Sequence, residues 1–106
     1  METQTEQRKM VAELNDAFRR GGFGVTVTQG VRAIEDLPGL MRAVRTFDTF
    51  TEDNDPYGEH DFGSIVWQSE TVFWKIDYYD LALKGGEHPL SRHCRRVLTV
   101  MLAEEY

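Results

Sequence analysis

Residues 62–79 carry the pattern that most constrains the fold. In "TVFWKIDYY" (71–79) large apolar side chains occupy the even positions, whereas the odd positions also include Lys75 and Asp77. The segment before it, "FGSIVWQ" (62–68), is rich in β-branched and aromatic residues, and a short turn around Ser69-Glu70 separates the two. Because strand side chains alternate between the faces of a sheet, we predict an antiparallel hairpin with one apolar and one mixed face.

The amino-terminal segment has the features of an amphipathic helix. Thr3 and Glu6 have the spacing of a capping box, and Gly21-Gly22 is expected to end the helix. Four apolar residues recur at helical spacing and are the predicted buried face: Met10, Val11, Leu14 and Phe18.

A strand and a second helix are expected next. "GVTVTQ" (24–29) places Val25 and Val27 on one face of a strand. Asp36 is suited to cap a helix with Pro38 in its first turn. The apolar stripe of that helix is predicted to be Leu37, Leu40, Met41, Val44 and Phe47.

The carboxyl-terminal segment "SRHCRRVLTVMLAEEY" (91–106) fits two structures. The spacing of Cys94, Val97, Leu98, Met101 and Leu102 fits one helical face, whereas the β-branched residues of "RVLTV" suit a strand. The Leu-Ala-Glu-Glu ending favours a helix over 94–103. The chain is then a single α+β domain, 1–106, with three helices packed on one face of a small, mostly antiparallel sheet.

Charge is distributed unevenly along the chain. The net charge is −6, and clustered cations are what nucleic-acid binding requires, so we expect no direct contact with nucleic acid. Between Arg45 and Lys75 there is no Lys or Arg, and seven acidic residues fall there: Asp48, Glu52, Asp53, Asp55, Glu59, Asp61 and Glu70. This middle segment is either a solvated loop or a surface for a partner.

The chain's cysteine content and hydropathy indicate a cytoplasmic protein. One cysteine, Cys94, allows no internal disulfide. No apolar run approaches the length of a membrane span, and "METQTEQRKM" lacks the apolar stretch of a signal peptide. We therefore expect no membrane partner.

"NDPYGEHDFG" (54–63) holds the densest set of chemical groups, and its spacing argues against a metal. Asp53, Asp55, Gly58 and Asp61 match an EF-hand loop in part, but Ser64 stands where that loop requires a glutamate. The Asn-Asp-Pro-Tyr-Gly half suits a tight turn, in which Asp55 accepts backbone N–H groups. We predict neither a metal nor a cofactor.

Two functions remain for this loop and the charged residues near it. Six residues form a predicted partner-binding surface: Glu52, Asp53, Asp55, Tyr57, Glu59 and Asp61. The alternative is a small hydrolase or nuclease-like site in which His60 acts with Asp61 and Asp77. His60 could equally hydrogen-bond a carboxylate and pin the loop, and Lys75 could pair with Asp77 or Asp61. A homodimer through the exposed sheet face or edge is a further possibility.

Several motifs resemble one family of small bacterial proteins of unknown function. They are "NDPYGEHDFG", "WKIDYYD" (74–80), "RVLTVMLAEEY" (96–106), "LNDAFR" (14–19), "TQGV" (28–31) and "FDTF" (47–50). We associate that family mainly with alphaproteobacteria and mobile elements. The resemblance brings no catalytic residues to carry over. It implies a small cytoplasmic accessory protein concerned with conflict between mobile DNA and host defences. Together with a rigid acidic turn, whose carboxylates can imitate the phosphates of nucleic acid, it predicts an inhibitor of the anti-CRISPR or anti-restriction type that blocks a nucleic-acid-binding surface of a host complex.

Overall fold

A mixed β-sheet of four strands organises the fold in the computed structural model, which describes residues 3–21 and 24–106. The strands are β1 (Val25–Val27), β2 (Phe62–Trp67), β3 (Glu70–Tyr79) and β4 (Arg95–Leu102). Their order in the sheet is β1-β4-β3-β2. The helices of these residues are α1 (Gln4–Gly21), α2 (Gln29–Arg32) and α3 (Leu37–Arg45), and a 3₁₀ turn spans Ala103–Glu105. The α+β class is therefore confirmed.

The predicted hairpin is present, with its turn one residue earlier than the predicted Ser69-Glu70. β2 and β3 pair antiparallel from Phe62↔Lys75 to Trp67↔Glu70. Gln68 and Ser69 form the turn between them with φ of 52° and 68°. Two successive positive φ angles are typical of the tight turns whose twist matches that of a hairpin. On β3, Val72 and Trp74 are fully buried, so the even positions do face the core.

The carboxyl-terminal helix predicted over 94–103 is wrong, because most of that segment is β4. β4 lies between β3 and β1, antiparallel to the first and parallel to the second. Its Leu98 and Val100 are buried in the core cluster beside Ile76 and Trp74. A central strand of this kind gains backbone hydrogen bonds on both sides, which outweighs the helical spacing of its apolar residues. The parallel β1–β4 pairing makes the sheet mixed.

The buried face of α1 differs from the predicted one. Thr3 and Glu6 exchange the two predicted capping hydrogen bonds, at 3.2 and 3.1 Å. However, Met10 and Leu14 are 40% and 46% exposed. The buried residues of α1 are Val11, Ala12, Asn15 and Arg19. The face of α1 that packs inward is therefore partly polar, because Asn15 and Arg19 form hydrogen bonds with groups of the loop and the sheet there. It ends at Gly21, and Gly22 lies outside the described residues.

The segment after β1 contains a short helix that we did not predict from sequence. The expected strand over 24–29 ends at Val27, and α2 follows, with a fully buried Val31. Glu105 ties this segment to the end of the chain by accepting from the Thr28 hydroxyl at 2.6 Å and from the Gly30 amide at 3.1 Å. These hydrogen bonds lower the pKa of Glu105, that from Thr28 most.

The predicted cap of α3 is confirmed, and the hairpin entry depends on one glycine. The Asp36 side chain accepts from the Gly39 amide at 3.1 Å. Gly63 lies directly over the indole of Trp74, so a Cβ at position 63 would collide with that ring. The missing side chain of Gly63 thus allows the close approach of a neighbouring side chain. None of the helices in the described ranges is long and apolar enough to cross a bilayer.

Candidate interaction surface on the loop between α3 and β2

Arg19 fixes the start of the loop that follows α3. Its side chain is fully buried, and its guanidinium donates to the carbonyl oxygens of Val44 at 3.0 Å and Phe47 at 2.8 Å. It also pairs with Asp16 at 3.1 Å and lies over the Trp74 ring at 4.7 Å. Burial lowers the pKa of Arg19, and the Asp16 carboxylate opposes that shift. One arginine thus supplies donors to the last carbonyls of α3 and the loop beyond it.

Asn15 connects α1 to the other end of the loop and to the sheet. Its Nδ2 donates to the Glu59 carbonyl at 2.9 Å and to the Tyr78 hydroxyl at 2.8 Å. Its Oδ1 accepts from Arg96 Nε at 2.7 Å. Burial raises the pKa of Tyr78 to about 12, against the Asn15 hydrogen bond, so the phenol stays neutral at physiological pH. A buried amide whose groups are all paired fixes the position of Glu59.

His60 is held between two carboxylates and an aromatic ring. Its Nδ1 lies 3.0 and 3.1 Å from the two carboxylate oxygens of Asp16. Its Nε2 lies 3.7 Å from Asp55 Oδ2, and the ring stacks on Phe50 with centroids 3.8 Å apart. Since a carboxylate only accepts, Nδ1 carries the hydrogen of the Asp16 bond. His60 has φ of 55°, a conformation that a residue other than glycine adopts at some cost in free energy.

Asp55 stabilises the turn from inside. Its side chain is only 6% exposed, and its carboxylate accepts from the backbone amides of Glu59 at 3.2 Å and His60 at 3.2 Å. Its own carbonyl accepts from Gly58, whose φ of 66° suits a glycine. The predicted role of Asp55 as an acceptor of backbone N–H groups is confirmed. The same burial removes its carboxylate from the surface that we expected a partner to contact.

The segment before Asp55 is closed by short-range hydrogen bonds. The Thr51 amide donates to Asn54 Oδ1 at 2.8 Å, and the Asn54 amide donates to the Thr51 hydroxyl at 3.3 Å. Asn54 Nδ2 also donates to the Thr49 carbonyl at 2.9 Å. Glu52 and Asp53 lie between these two residues and are exposed. The structure therefore presents two adjacent carboxylates on a backbone that is fixed on both sides.

Tyr57 projects from the same turn. It is 62% exposed, and the Arg8 guanidinium of α1 lies 5.0 Å from its ring centroid. An open groove of about 500 Å³ runs between this turn and α1, and Asp16, Glu52 and His60 are among its lining residues. We call Glu52, Asp53 and Tyr57 the exposed turn group, and Asp16, Asp55 and His60 the anchoring group.

Glu59 and Asp61, the other predicted partner-binding residues, are half-buried. Burial raises the pKa of each carboxyl. The nearby carboxylates of Asp55 and Asp77 raise the pKa of Asp61 further, and the carboxylate of Asp61 raises that of Glu59 further. Asp77 pairs with Lys75 at 2.9 Å, which confirms that predicted pair. The nitrogens of His60 thus face Asp16 and Asp55, and not the Asp61 and Asp77 of the predicted hydrolase site.

Asp16 and the aromatic neighbour of His60 were missed as site residues. The sequence contains only a partial signal: Arg19 follows Asn15 by four positions and Asp16 by three, so it lies on the same helix face as each of them. Those three residues lie in "LNDAFR" and Phe50 lies in "FDTF", two of the motifs that carry the family resemblance. Within residues 3–21 and 24–106 no three side chains of the metal-ligating types are grouped so as to hold an ion.

One comparison with known proteins identifies a family. A family profile described as "Protein of unknown function (DUF3768)" matches residues 27–105. The chain belongs to this family. The DUF3768 match runs from the end of β1 into the 3₁₀ turn and includes the whole loop between α3 and β2, which we call the acidic loop. α1 lies before the match. The predicted membership of a family of unknown function is confirmed. Neither the curated proteins nor the solved structures gave a match.

Proposed function

We propose that this DUF3768 protein is a non-enzymatic interaction protein that uses its exposed turn group to occupy a basic, nucleic-acid-binding surface of a host complex. The partner on this proposal is a component of a defence system, such as a CRISPR or restriction complex, encountered in the cytoplasm by a protein of a mobile element. Binding there would keep nucleic acid away from the complex.

The observation that carries the proposal is that some charged side chains of the loop are buried in contacts within the chain while others are exposed at its surface. Asp55 and His60 are engaged inside the molecule, whereas Glu52 and Asp53 are exposed and form no ion pair among the described residues. The backbone that carries these two residues is already fixed by the hydrogen bonds between Thr51 and Asn54, so less conformational entropy is lost when Glu52 and Asp53 bind a cation. The fixed backbone therefore prepares both carboxylates for a charged partner.

The charge and the aromatic ring of the turn fit such a surface. A chain of net charge −6 is drawn toward a basic groove, and fixed carboxylates can take the places of phosphates there. Tyr57 adds a large amphipathic side chain of a type that often contributes most to binding energy. Its contact with Arg8 leaves most of the ring exposed.

A hydrolase centred on His60 is the alternative, and the Asp16–His60 hydrogen bond beside the groove is its support. An aspartate that orients a histidine is common in general base catalysis. Against it, the second nitrogen of His60 faces Asp55 and its ring is covered by Phe50. His60→Asn keeps a residue that tolerates positive φ. Loss of a hydrolytic activity in this variant, with the fold retained, would favour the enzyme.

The interaction proposal is tested by displacement of DNA. A purified, guide-loaded CRISPR complex and a restriction endonuclease from the host would each be titrated with the chain while binding of labelled target DNA is followed by anisotropy. We expect the wild-type chain to displace DNA from at least one complex. The double variant Glu52→Lys, Asp53→Lys should need at least about tenfold more protein, since opposite charges at an interface then become like charges.

A matched variant separates local from general electrostatics. Glu35→Lys with Glu104→Lys changes two exposed carboxylates outside the turn by the same charge. We expect it to displace DNA nearly as well as the wild-type chain. Equal loss in both double variants, or failure of the wild-type chain to displace DNA from either complex, would refute the proposal.

A further inference from the structure

The face of the sheet that points away from the core is a second surface with its own character. We call it the outer sheet face and define it by Phe62, Val66, Phe73, Lys75, Asp77 and Val97. On β3 its members, Phe73, Lys75 and Asp77, occupy odd positions and point away from the buried Val72, Trp74 and Ile76. Among the described residues none of its members belongs to the core cluster.

This face mixes apolar and polar side chains and is partly open to solvent, since the strand register also places Ser64, Thr71 and Thr99 on it, together with Met101, which is 4% exposed. Val66 is 75% exposed, and Phe62, Phe73 and Val97 are half-buried. The rings of Phe62 and Phe73 lie 5.1 Å apart, and Tyr106 packs edge-on against both at 6.2 and 5.8 Å. The aromatic side chains are therefore ordered by mutual contact. Apolar patches on the surface of a small monomer are often binding sites.

The charge on this face argues against a strongly charged occupant. Lys75 Nζ lies 2.9 Å from Asp77 Oδ2, and their side chains are 37% and 36% exposed. The centre of the face is thus neutral in a chain of net charge −6. A basic partner is attracted to the acidic loop instead. Arg95 lies at the end of β4 opposite Tyr79, and one peripheral cation is too little for a nucleic acid.

We propose that a second copy of this chain binds the outer sheet face and forms a two-fold symmetric dimer. In such an interface, a contact from one residue of the first protomer to a second residue of its partner is repeated with the two residues exchanged between protomers. Lys75 and Asp77 are two residues apart on one strand face, about 7 Å. A two-fold axis that passes between them brings Lys75 of one protomer onto Asp77 of its partner, and the reverse.

The dimer leaves the acidic loop accessible. The loop is anchored to α1 through Asp16 and Asn15, and α1 contributes no residue to the outer sheet face. Each dimer would then present two exposed turn groups. The inference does not depend on the proposed function, because self-association needs neither a host complex nor DNA.

Charge exchange between copies tests the dimer. The wild-type chain should have twice its monomer mass of 12.2 kDa by light scattering at about 50–100 μM. Lys75→Asp gives each protomer two carboxylates at the centre, four in the dimer, and Asp77→Lys gives four ammonium groups, so each variant alone should dissociate at least about tenfold more readily. An equimolar mixture of the two variants should form a heterodimer, because each then supplies the charge that the other lacks.

The mixture separates the dimer from an effect on folding. Loss of the exposed Lys75–Asp77 pair lowers stability equally in the mixed and unmixed samples, so only intermolecular pairing restores mass on mixing. Circular dichroism checks the fold, and Lys84→Asp, at an exposed lysine outside the strands, should stay dimeric. A monomeric wild-type chain, or no recovery on mixing, would overturn the inference. Binding of a single-stranded oligonucleotide that Phe73→Ala abolishes would also overturn it.

Discussion

Two pairs of residues in the loop between α3 and β2 differ in the direction that their side chains face. Asp55 and His60 face inward and contact backbone amides, Asp16 and Phe50. Glu52 and Asp53 stand a few residues away and face solvent. Both pairs come from one stretch of acidic sequence. The difference shows that a dense run of charged residues can divide into side chains that shape a loop and side chains that the shaped loop displays.

This comparison predicts that the two groups separate in experiment. Substitutions among inward-facing residues should change the free energy of unfolding, whereas substitutions in the exposed turn group should change binding alone. The predictions below test this separation, beginning with the largest expected effect.

Arg19→Ala should cause the largest loss of stability. It removes the donors to Val44 and Phe47 and leaves Asp16 without its arginine. We expect a loss of about 3–5 kcal/mol in the free energy of unfolding, measured with urea. The adjacent Arg20 is exposed, and Arg20→Ala should change it by no more than about 0.5 kcal/mol. Similar effects in the two variants would show that α1 does not hold the loop.

Asp55→Ala should have the next largest effect. The amides of Glu59 and His60 lose their acceptor, which should cost about 1–3 kcal/mol and speed hydrogen exchange at those two amides. Asp53→Ala provides the control, since Asp53 is exposed and should change stability by under about 0.5 kcal/mol. Unchanged exchange at Glu59 and His60 would contradict the anchoring role of Asp55.

Asp61→Asn should have the smallest effect, and it should be stabilising. Burial raises the pKa of Asp61 in the folded chain, so folding favours the protonated form. At a pH above the raised pKa of the folded chain, the carboxylate therefore lowers the free energy of unfolding. This loss disappears as the pH falls from the raised pKa of the folded chain to the ordinary pKa of the unfolded chain. Thermal unfolding should show Asp61→Asn above the wild-type chain at pH 7, with the two converging toward pH 3. A gap that persists or widens in acid would refute this assignment.

The elements that sequence predicts well are those whose contacts are local. The hairpin of β2 and β3 follows from period-two alternation, and the caps at Thr3 and Asp36 follow from residues three positions apart. β4 was mistaken for a helix because its apolar spacing fits either structure. The choice between helix and strand depends on pairing with β1, in which Leu98 of β4 lies opposite Val25, a residue far from it in sequence.

The candidate site was only partly predictable for the same reason. The turn chemistry of Asp55 and Gly58 is local and was anticipated. The contact of His60 with Asp16 spans 44 positions, and that of Asn15 with Arg96 spans 81. A helix pattern assigns polar residues such as Asn15 and Arg19 to solvent by default. Nothing in the pattern shows that the loop and sheet supply buried partners for them.

The most direct test measures stability and DNA displacement on the same samples of two neutralising variants. One removes both exposed charges, Glu52→Gln with Asp53→Asn, and the other removes the buried charge, Asp55→Asn. The account predicts that the first keeps the wild-type melting temperature and loses displacement of DNA from the host complex, while the second melts at a lower temperature. A first variant that displaces DNA as well as the wild-type chain would contradict the central claim.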